Sequence, residues 1–199
     1  MHPALASLAL ALAGVGALGA ASDGFAALTT ESARRLTAAR DRPAMLRVTL
    51  ETMDGTPEAL PAPGQATVVE FIYTTCPEIC QVAGSEMAQL RDRIAAAPLA
   101  GRVRLISLSF DPERDTPEQM ARYGGWHGAG GWHWTVARPA PDDLPGLLAA
   151  YGVTVIPDRM GGYAHNTALH VVDRAGRLVA ILDTDDLAGA EAALARALK

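Results

Sequence analysis

Cys76 and Cys80 are the residues of this sequence best suited to chemistry, because they are its only cysteines and lie four residues apart. A single pair this close cannot form a disulfide scaffold for a whole domain. Residues four apart on a helical turn lie on the same face, so two thiolates here can bind one metal ion or close into a disulfide. Both chemistries use the same two residues, and the spacing leaves both open.

Two thiolates select soft metals such as cuprous copper or zinc. A structural zinc ion takes four protein ligands, so it would also need two histidines or carboxylates. Copper is satisfied by two sulfur atoms and one nitrogen, which makes a histidine the ligand to look for. His165 is the candidate, since it lies just before a predicted strand, whereas His170 lies within that strand and is expected to be structural. His127 and His133 lie in a tryptophan-containing stretch that is interpreted as a solvated loop.

The cysteines lie where a buried strand is followed by a helix. Residues 68–73 are β-branched and aromatic, which predicts a central strand, and residues 85–97 repeat apolar side chains at helical spacing. The N-terminus of a helix carries partial positive charge and unpaired N–H groups, and both favour thiolate over thiol. This position therefore suits metal binding and disulfide exchange alike.

The remaining pattern alternates strands with helices. Strands are predicted at residues 45–52, 103–110, near 135–136, 168–172 and 177–182, and helices from residue 117 to about 123, from 142 or 143 to 151, and at 187–198. The glycines at 124 and 125 are expected to end the first of these helices, and residues 157–163 are expected to form a loop. Alternating strands and helices indicate the α/β class. The terminal hairpin and helix, with cysteines at a strand-to-helix junction, narrow this to a thioredoxin-like fold with a central mixed β-sheet flanked by helices.

The N-terminal residues differ in kind from the rest. Residues 4–21 contain no charged side chain and are rich in alanine, leucine and glycine, which is typical of a secretory signal. Residues 1–21 are therefore predicted to be a signal peptide cleaved after Ala20 or Ala21, or, as the alternative, an uncleaved N-terminal anchor. Residues 22–43 are a linker or short helix, and residues 44–199 are the domain. The expected location is the periplasm or cell envelope, with membrane association through the N-terminus left open.

Charge argues against one class of partner. The net charge is −5 and no basic cluster stands out, whereas nucleic-acid binding needs a positive face.

Three segments together resemble the Sco/SenC family. They are residues 71–80 (FIYTTCPEIC), residues 107–118 (SLSFDPERDTPE) and His165 ahead of the hairpin, and residues 131–134 (GWHW) add to the likeness. The resemblance implies a thioredoxin-like fold and binding of copper, Cu(I) or Cu(II), by Cys76, Cys80 and His165. It also implies copper delivery to the dinuclear centre of cytochrome c oxidase, on its subunit II, or to another exported copper protein. Gln81 and Asn166 depart from the family pattern without removing a ligand.

Two functions compete on these residues. The first is a copper-binding assembly factor that is not an enzyme, and the second is a thiol–disulfide oxidoreductase that reduces cysteines of a metallation partner. They differ at His165, which copper needs and disulfide exchange does not. Because exported proteins meet oxidising conditions, a Cys76–Cys80 disulfide is predicted in the isolated apo protein. Asp111, after the 103–110 strand, is considered a hydrogen-bond partner of the metal loop, with loop and helix-cap chemistry as the alternative.

Overall fold

The computed structural model describes residues 3–76, 79–97, 99–131 and 133–199, and for residues 3, 5, 6 and 79–83 it describes the backbone alone. The helices are α1 (Pro3–Ala21), α2 (Thr30–Asp41), α3 (Ile79–Ala96), α4 (Pro117–His127), α5 (Leu144–Tyr151) and α6 (Leu187–Ala197). The strands are β1 (Val48–Thr52), β2 (Pro57–Leu60), β3 (Ala66–Ile72), β4 (Val103–Ser109), β5 (Trp134–Pro139), β6 (Val155–Pro157), β7 (Tyr163–His165), β8 (Leu169–Val172) and β9 (Leu178–Leu182). Within the described residues, no helix combines the length and apolar character that crossing a membrane requires.

A mixed sheet forms the centre of the protein, with strand order β2-β1-β5-β4-β3-β8-β9. Strand β4 runs parallel to both β3 and β5, and the other neighbouring strands pair antiparallel. Parallel neighbours need a crossover, and α3 and α4 supply it. The predicted α/β class with a central mixed sheet flanked by helices is confirmed.

Helices cover the sheet on both faces. Apolar side chains of α3 and α6 pack on one face, and those of α2, α4 and α5 pack on the other. Every residue of β3 and β4 is buried, as expected of parallel strands covered on both sides. The carboxyl ends of β3 and β4 therefore meet at one edge of the sheet, where the chain leaves the core.

The predicted end of α4 was wrong, because the helix continues through the paired glycines to His127. Gly124 is a packing residue: a Cβ there would lie 2.7 Å from the Met53 sulfur. The helix ends instead at Gly128, whose φ of 73° is left-handed and whose N–H donates to the Gly124 carbonyl. His127 therefore lies on a helix, half-buried, and not in a solvated loop.

Residues 158–162 form the predicted loop, but Pro157 and Tyr163 at its two ends belong to short strands that were not predicted. Strands β6 and β7 pair antiparallel across this loop and form a short ribbon that pairs Val155 with His165. The Asp158 carboxylate closes the turn by accepting the N–H groups of Met160 and Gly162 at 2.7 and 2.9 Å. Strands of three residues leave too little alternation in the sequence to be predicted.

Within residues 22–43, for which a linker or short helix was predicted, α2 docks against the domain. Arg34 donates hydrogen bonds to the Tyr151 carbonyl at 2.8 Å and to Nε2 of His170 at 3.0 Å. Because arginine can only donate, Nε2 accepts and Nδ1 of His170 donates to the Val69 carbonyl at 3.1 Å. Burial lowers the pKa of His170 to about 3, so this fully buried histidine is neutral and structural.

Candidate metal centre

The cysteine loop follows the central strand β3. Cys76 is half-buried against the core, and its backbone N–H donates to the Tyr73 carbonyl at 3.2 Å. The backbone of Cys80 lies in the first turn of α3, so the predicted strand-to-helix junction is confirmed. Cys76 lies in the loop before the helix, so the two cysteines do not share one helical turn as the spacing predicted. The side chain of Cys80, and residues 77 and 78, lie outside the described part of the protein.

His165 ends β7, and its environment is unusual for a histidine. Both ring nitrogens are buried, and neither meets a hydrogen-bond partner of ordinary geometry among the described residues. Buried polar atoms in native proteins are nearly always paired, so this ring requires an explanation. Burial lowers the pKa of His165, against a smaller opposing effect of the Asn166 backbone, and the lowered pKa favours the neutral imidazole that binds metals. A metal ion would supply the missing partner.

An aromatic cluster joins the cysteine loop to this histidine. Tyr73 follows β3 and Phe110 follows β4, and their rings lie 5.3 Å apart. The His165 ring packs edge-on against Phe110 at 4.8 Å, and Tyr163 packs against Tyr73 at 5.3 Å. Sequence reasoning missed this cluster, although each of the two central strands is followed directly by an aromatic residue. The cluster brings the Cys76 loop and His165 to the same edge of the sheet.

Asn166 fixes the backbone next to His165. Its side-chain oxygen accepts the Thr154 N–H at 2.7 Å, and its amide donates to the Gly152 carbonyl at 3.0 Å. These two bonds tie the end of the β6–β7 ribbon to the end of α5. The side chain at this position, noted in the sequence as a departure from the family pattern, thus has a structural task in this protein.

The full three-residue set stays a prediction. Within the described residues, no three histidine, cysteine, aspartate or glutamate side chains gather closely enough to hold a metal ion. The sulfur atom of Cys80 is not among the described atoms. The donor types still fit a soft ion, because a sulfur and an unpaired imidazole lie on one aromatic cluster at the same sheet edge.

The other candidates from the sequence have different surroundings. His127 packs against Tyr123 at 4.6 Å, and burial lowers its pKa. His133 is half-buried just before β5, and its carbonyl accepts the Leu105 N–H. The Asp111 carboxylate pairs with Arg114, so it is not the residue that contacts the cysteine loop. Asp115 makes that contact, through hydrogen bonds from Thr74.

A groove of about 390 Å³ opens beside Cys76. Its other lining residues come from the loop before Cys76 and from α4: Thr74, Thr75, Gln119, Arg122, Tyr123 and Trp126. Trp126 is 68% exposed, which is high for so large an apolar side chain. The cysteine is therefore reachable from solvent along one side.

Known proteins resemble this chain in both sequence and fold. The SCO1 protein homolog of Bacillus subtilis is 33% identical over 76 residues, which is 38% of this chain and 38% of that protein, so the match spans well under two thirds of the relative. The structure of Bradyrhizobium japonicum ScoI with copper bound is 26% identical, with a TM-score of 0.61 over 78% of this chain and 100% of that one. A third similar structure is that of BsSco, which is 19% identical, with a TM-score of 0.69 over 79% of this chain and 95% of that one. BsSco is described as having a disulfide switch and as a member of the Sco family of cytochrome c oxidase assembly proteins.

A family model settles the relationship. The model described as SCO1/SenC matches residues 58–199, well over half of the chain, and covers the cysteine loop, the aromatic cluster and His165. The solved relatives share the predicted thioredoxin-like fold. The protein belongs to the SCO1/SenC family.

Proposed function

We propose that this protein binds copper through Cys76, Cys80 and His165 and delivers it to the dinuclear centre of cytochrome c oxidase or to a similar exported copper protein. The observation that carries the proposal is the His165 ring, whose two buried nitrogens lack a hydrogen-bond partner of ordinary geometry among the described residues. Family membership supports it, as does the relative that has been solved with copper bound.

The donor set suits an ion that must be both held and released. Cysteine binds copper as thiolate and histidine binds it as neutral imidazole, so loading releases protons from the thiols. Two thiolates favour cuprous copper, and an added imidazole makes cupric copper acceptable as well. The groove beside Cys76 leaves one side open to the ligands of a receiving protein. In this function copper is the cargo of the protein and not its resident cofactor.

Copper titration of the purified, reduced protein is the direct test. One copper ion per chain is expected to remain after desalting, and cupric copper is expected to give a sulfur-to-copper charge-transfer band in the visible range. Metal analysis and absorbance measure both. Zinc serves as the competitor, because two thiolates accept it too. A reduced protein that retains no copper, or that keeps zinc in preference to cuprous copper, contradicts the proposal.

Thiol–disulfide exchange is the second candidate function. Cys76 is half-buried in the loop before α3 and beside an open groove, which is the environment of a reactive cysteine. BsSco, a relative by fold, is described as carrying a disulfide switch. In this function the protein would reduce a disulfide on a metallation partner and form its own Cys76–Cys80 bond in exchange. The two functions separate at His165, which copper binding needs and disulfide exchange does not.

We further propose that the protein is exported and acts in the periplasm or cell envelope. The support is the uncharged N-terminal segment, which forms α1 and is followed by Ser22 and Asp23. N-terminal sequencing of protein recovered from the cell envelope is expected to begin at Ala21 or Ser22. An intact Met1 on protein recovered from the cytoplasm contradicts export, and an intact Met1 on membrane-bound protein favours the uncleaved anchor.

A further inference from the structure

Asp115 is completely buried in the turn between β4 and α4, and its carboxylate accepts three hydrogen bonds. Thr74 supplies two of them, its backbone N–H to Oδ2 at 3.0 Å and its hydroxyl to Oδ1 at 2.6 Å. The Ser109 hydroxyl donates the third to Oδ2 at 2.5 Å. Burying a carboxylate is costly unless it is hydrogen-bonded in this way.

The turn that carries Asp115 is itself held in place. The Asp115 N–H donates to the Asp111 carbonyl at 2.9 Å, and the Asp111 N–H donates to the Ser109 hydroxyl at 3.0 Å. Arg138 donates to the Pro112 carbonyl at 2.7 Å and forms an ion pair with Glu51 at 2.6 Å. These bonds anchor the turn that carries Asp115, so Asp115 can hold the loop before Cys76 in place.

We propose that Asp115 is a positioning residue for Cys76. It accepts two hydrogen bonds from Thr74, which lies two residues before Cys76, and thereby sets the orientation of the cysteine. Holding both the N–H and the hydroxyl of one residue fixes the backbone direction of the loop. Asp115 is not a metal ligand here, because both of its oxygens are buried and bonded within the protein. The effect of Asp115 on copper affinity rests on the proposed copper-binding function, whereas its effect on the reactivity of the Cys76 thiol does not.

The test compares Asp115→Asn, Thr74→Val and Thr74→Ser, with Asp173→Asn as the matched control. Asp173 also accepts backbone N–H groups through its carboxylate, but it does so in the β8–β9 turn. The first readout is the alkylation rate of Cys76 in a Cys80→Ser background without metal. The second is the cupric affinity of each variant in the chain with both cysteines. Circular dichroism establishes folding and the unfolding temperature.

Loss of the hydrogen bonds between Asp115 and Thr74 is expected to expose the half-buried Cys76 thiol and to move it from its position for binding copper. Asp115→Asn and Thr74→Val should each raise the alkylation rate about tenfold and weaken cupric binding about tenfold, as expected for a lost hydrogen bond to a charged group. Thr74→Ser keeps the hydroxyl and should match the wild type. The double variant Asp115→Asn/Thr74→Val should be no worse than the single ones, because both remove one contact. Asp173→Asn should lower the unfolding temperature alone.

Wild-type alkylation and copper affinity in a folded Asp115→Asn protein would overturn the proposal, as would additive effects in the double variant. If Asp115→Asn does not fold, the comparison of Thr74→Val with Thr74→Ser decides, and equal rates in those two variants refute the contact's role. If even the wild type binds no copper, the proposed function fails, and the alkylation rates still test Asp115.

Discussion

A His165→Ala variant is expected to bind cupric copper with roughly a hundredfold lower affinity than the wild type. Even the loss of a residue that only supports a metal ligand lowers metal affinity by about 10–100-fold. Cupric copper prefers nitrogen ligands beside sulfur, whereas cuprous copper accepts two sulfur ligands. Cuprous affinity should therefore change little. The charge-transfer band of the cupric form should disappear, and formation of the Cys76–Cys80 disulfide should remain intact. Visible spectra, copper affinities and alkylation with mass spectrometry measure these outcomes.

Three further variants make this result specific. Cys76→Ser and Cys80→Ser should each weaken both copper forms and end disulfide formation, because each removes a sulfur that both chemistries use. His133→Ala is the matched control, since this histidine lies in the turn before β5, and it should leave the cupric spectrum unchanged. An unaltered cupric spectrum in folded His165→Ala protein would remove His165 from the site and turn attention to His133. A protein that exchanges disulfides normally but binds no copper would favour the oxidoreductase function.

Glu70 is expected to destabilise the folded protein progressively as the pH rises from 5 to 8. His170 acts in the opposite direction up to its unfolded pKa of 6.5, because burial lowers its pKa in the folded protein. Glu70 lies in β3 and is 2% exposed; its Oε1 accepts the Ser107 hydroxyl at 2.5 Å, and its Oε2 has no partner among the described residues. Burial raises the pKa of Glu70 from 4.5 to about 7, and the Glu86 carboxylate on α3 acts in the same direction. The hydrogen bond from Ser107 opposes the shift.

The sign follows from proton binding. Between pH 4.5 and 7 the folded protein keeps the Glu70 proton that the unfolded chain has lost, so folding is progressively disfavoured as the pH rises. Each pKa unit corresponds to about 1.4 kcal/mol, so the ionisation of Glu70 should lower the free energy of unfolding by about 3 kcal/mol across this window. A comparison of the wild type with a Glu70 variant isolates this contribution from that of His170, which both proteins share. The destabilisation caused by ionised Glu70 should be complete above pH 7 and absent near pH 4.

Glu70→Gln should remove this dependence, because the amide does not titrate in this range. Relative to the wild type, the variant should gain about 3 kcal/mol in unfolding free energy between pH 5 and pH 8. Urea unfolding at a series of pH values measures the difference. Glu113→Gln is the control, since Glu113 is exposed, and its stability difference from the wild type should stay constant with pH. Parallel pH profiles for the wild type and Glu70→Gln would show that Glu70 is already ionised in the folded protein.

The sequence by itself determined the features that depend on neighbouring residues. The apolar runs of β3 and β4 predicted two strands of the central sheet, because strands covered on both faces carry mostly apolar residues. The cysteine spacing and its place at a strand-to-helix junction followed from the same local pattern. Turn residues after Val172 located the β8–β9 hairpin, and Thr116 with Pro117 located the start of α4.

Tertiary structure alone decided which distant groups meet. Asp115 accepts a hydrogen bond from Thr74, 41 positions earlier, and Arg34 donates one to His170, 136 positions later. The packing of His165 on Phe110 likewise depends on where the β6–β7 ribbon folds back over the sheet. Hydrophobic periodicity reports which face of one element is buried, but it carries no information on the partner that buries it. Strand order and register supply that information, and they form only when the whole chain packs.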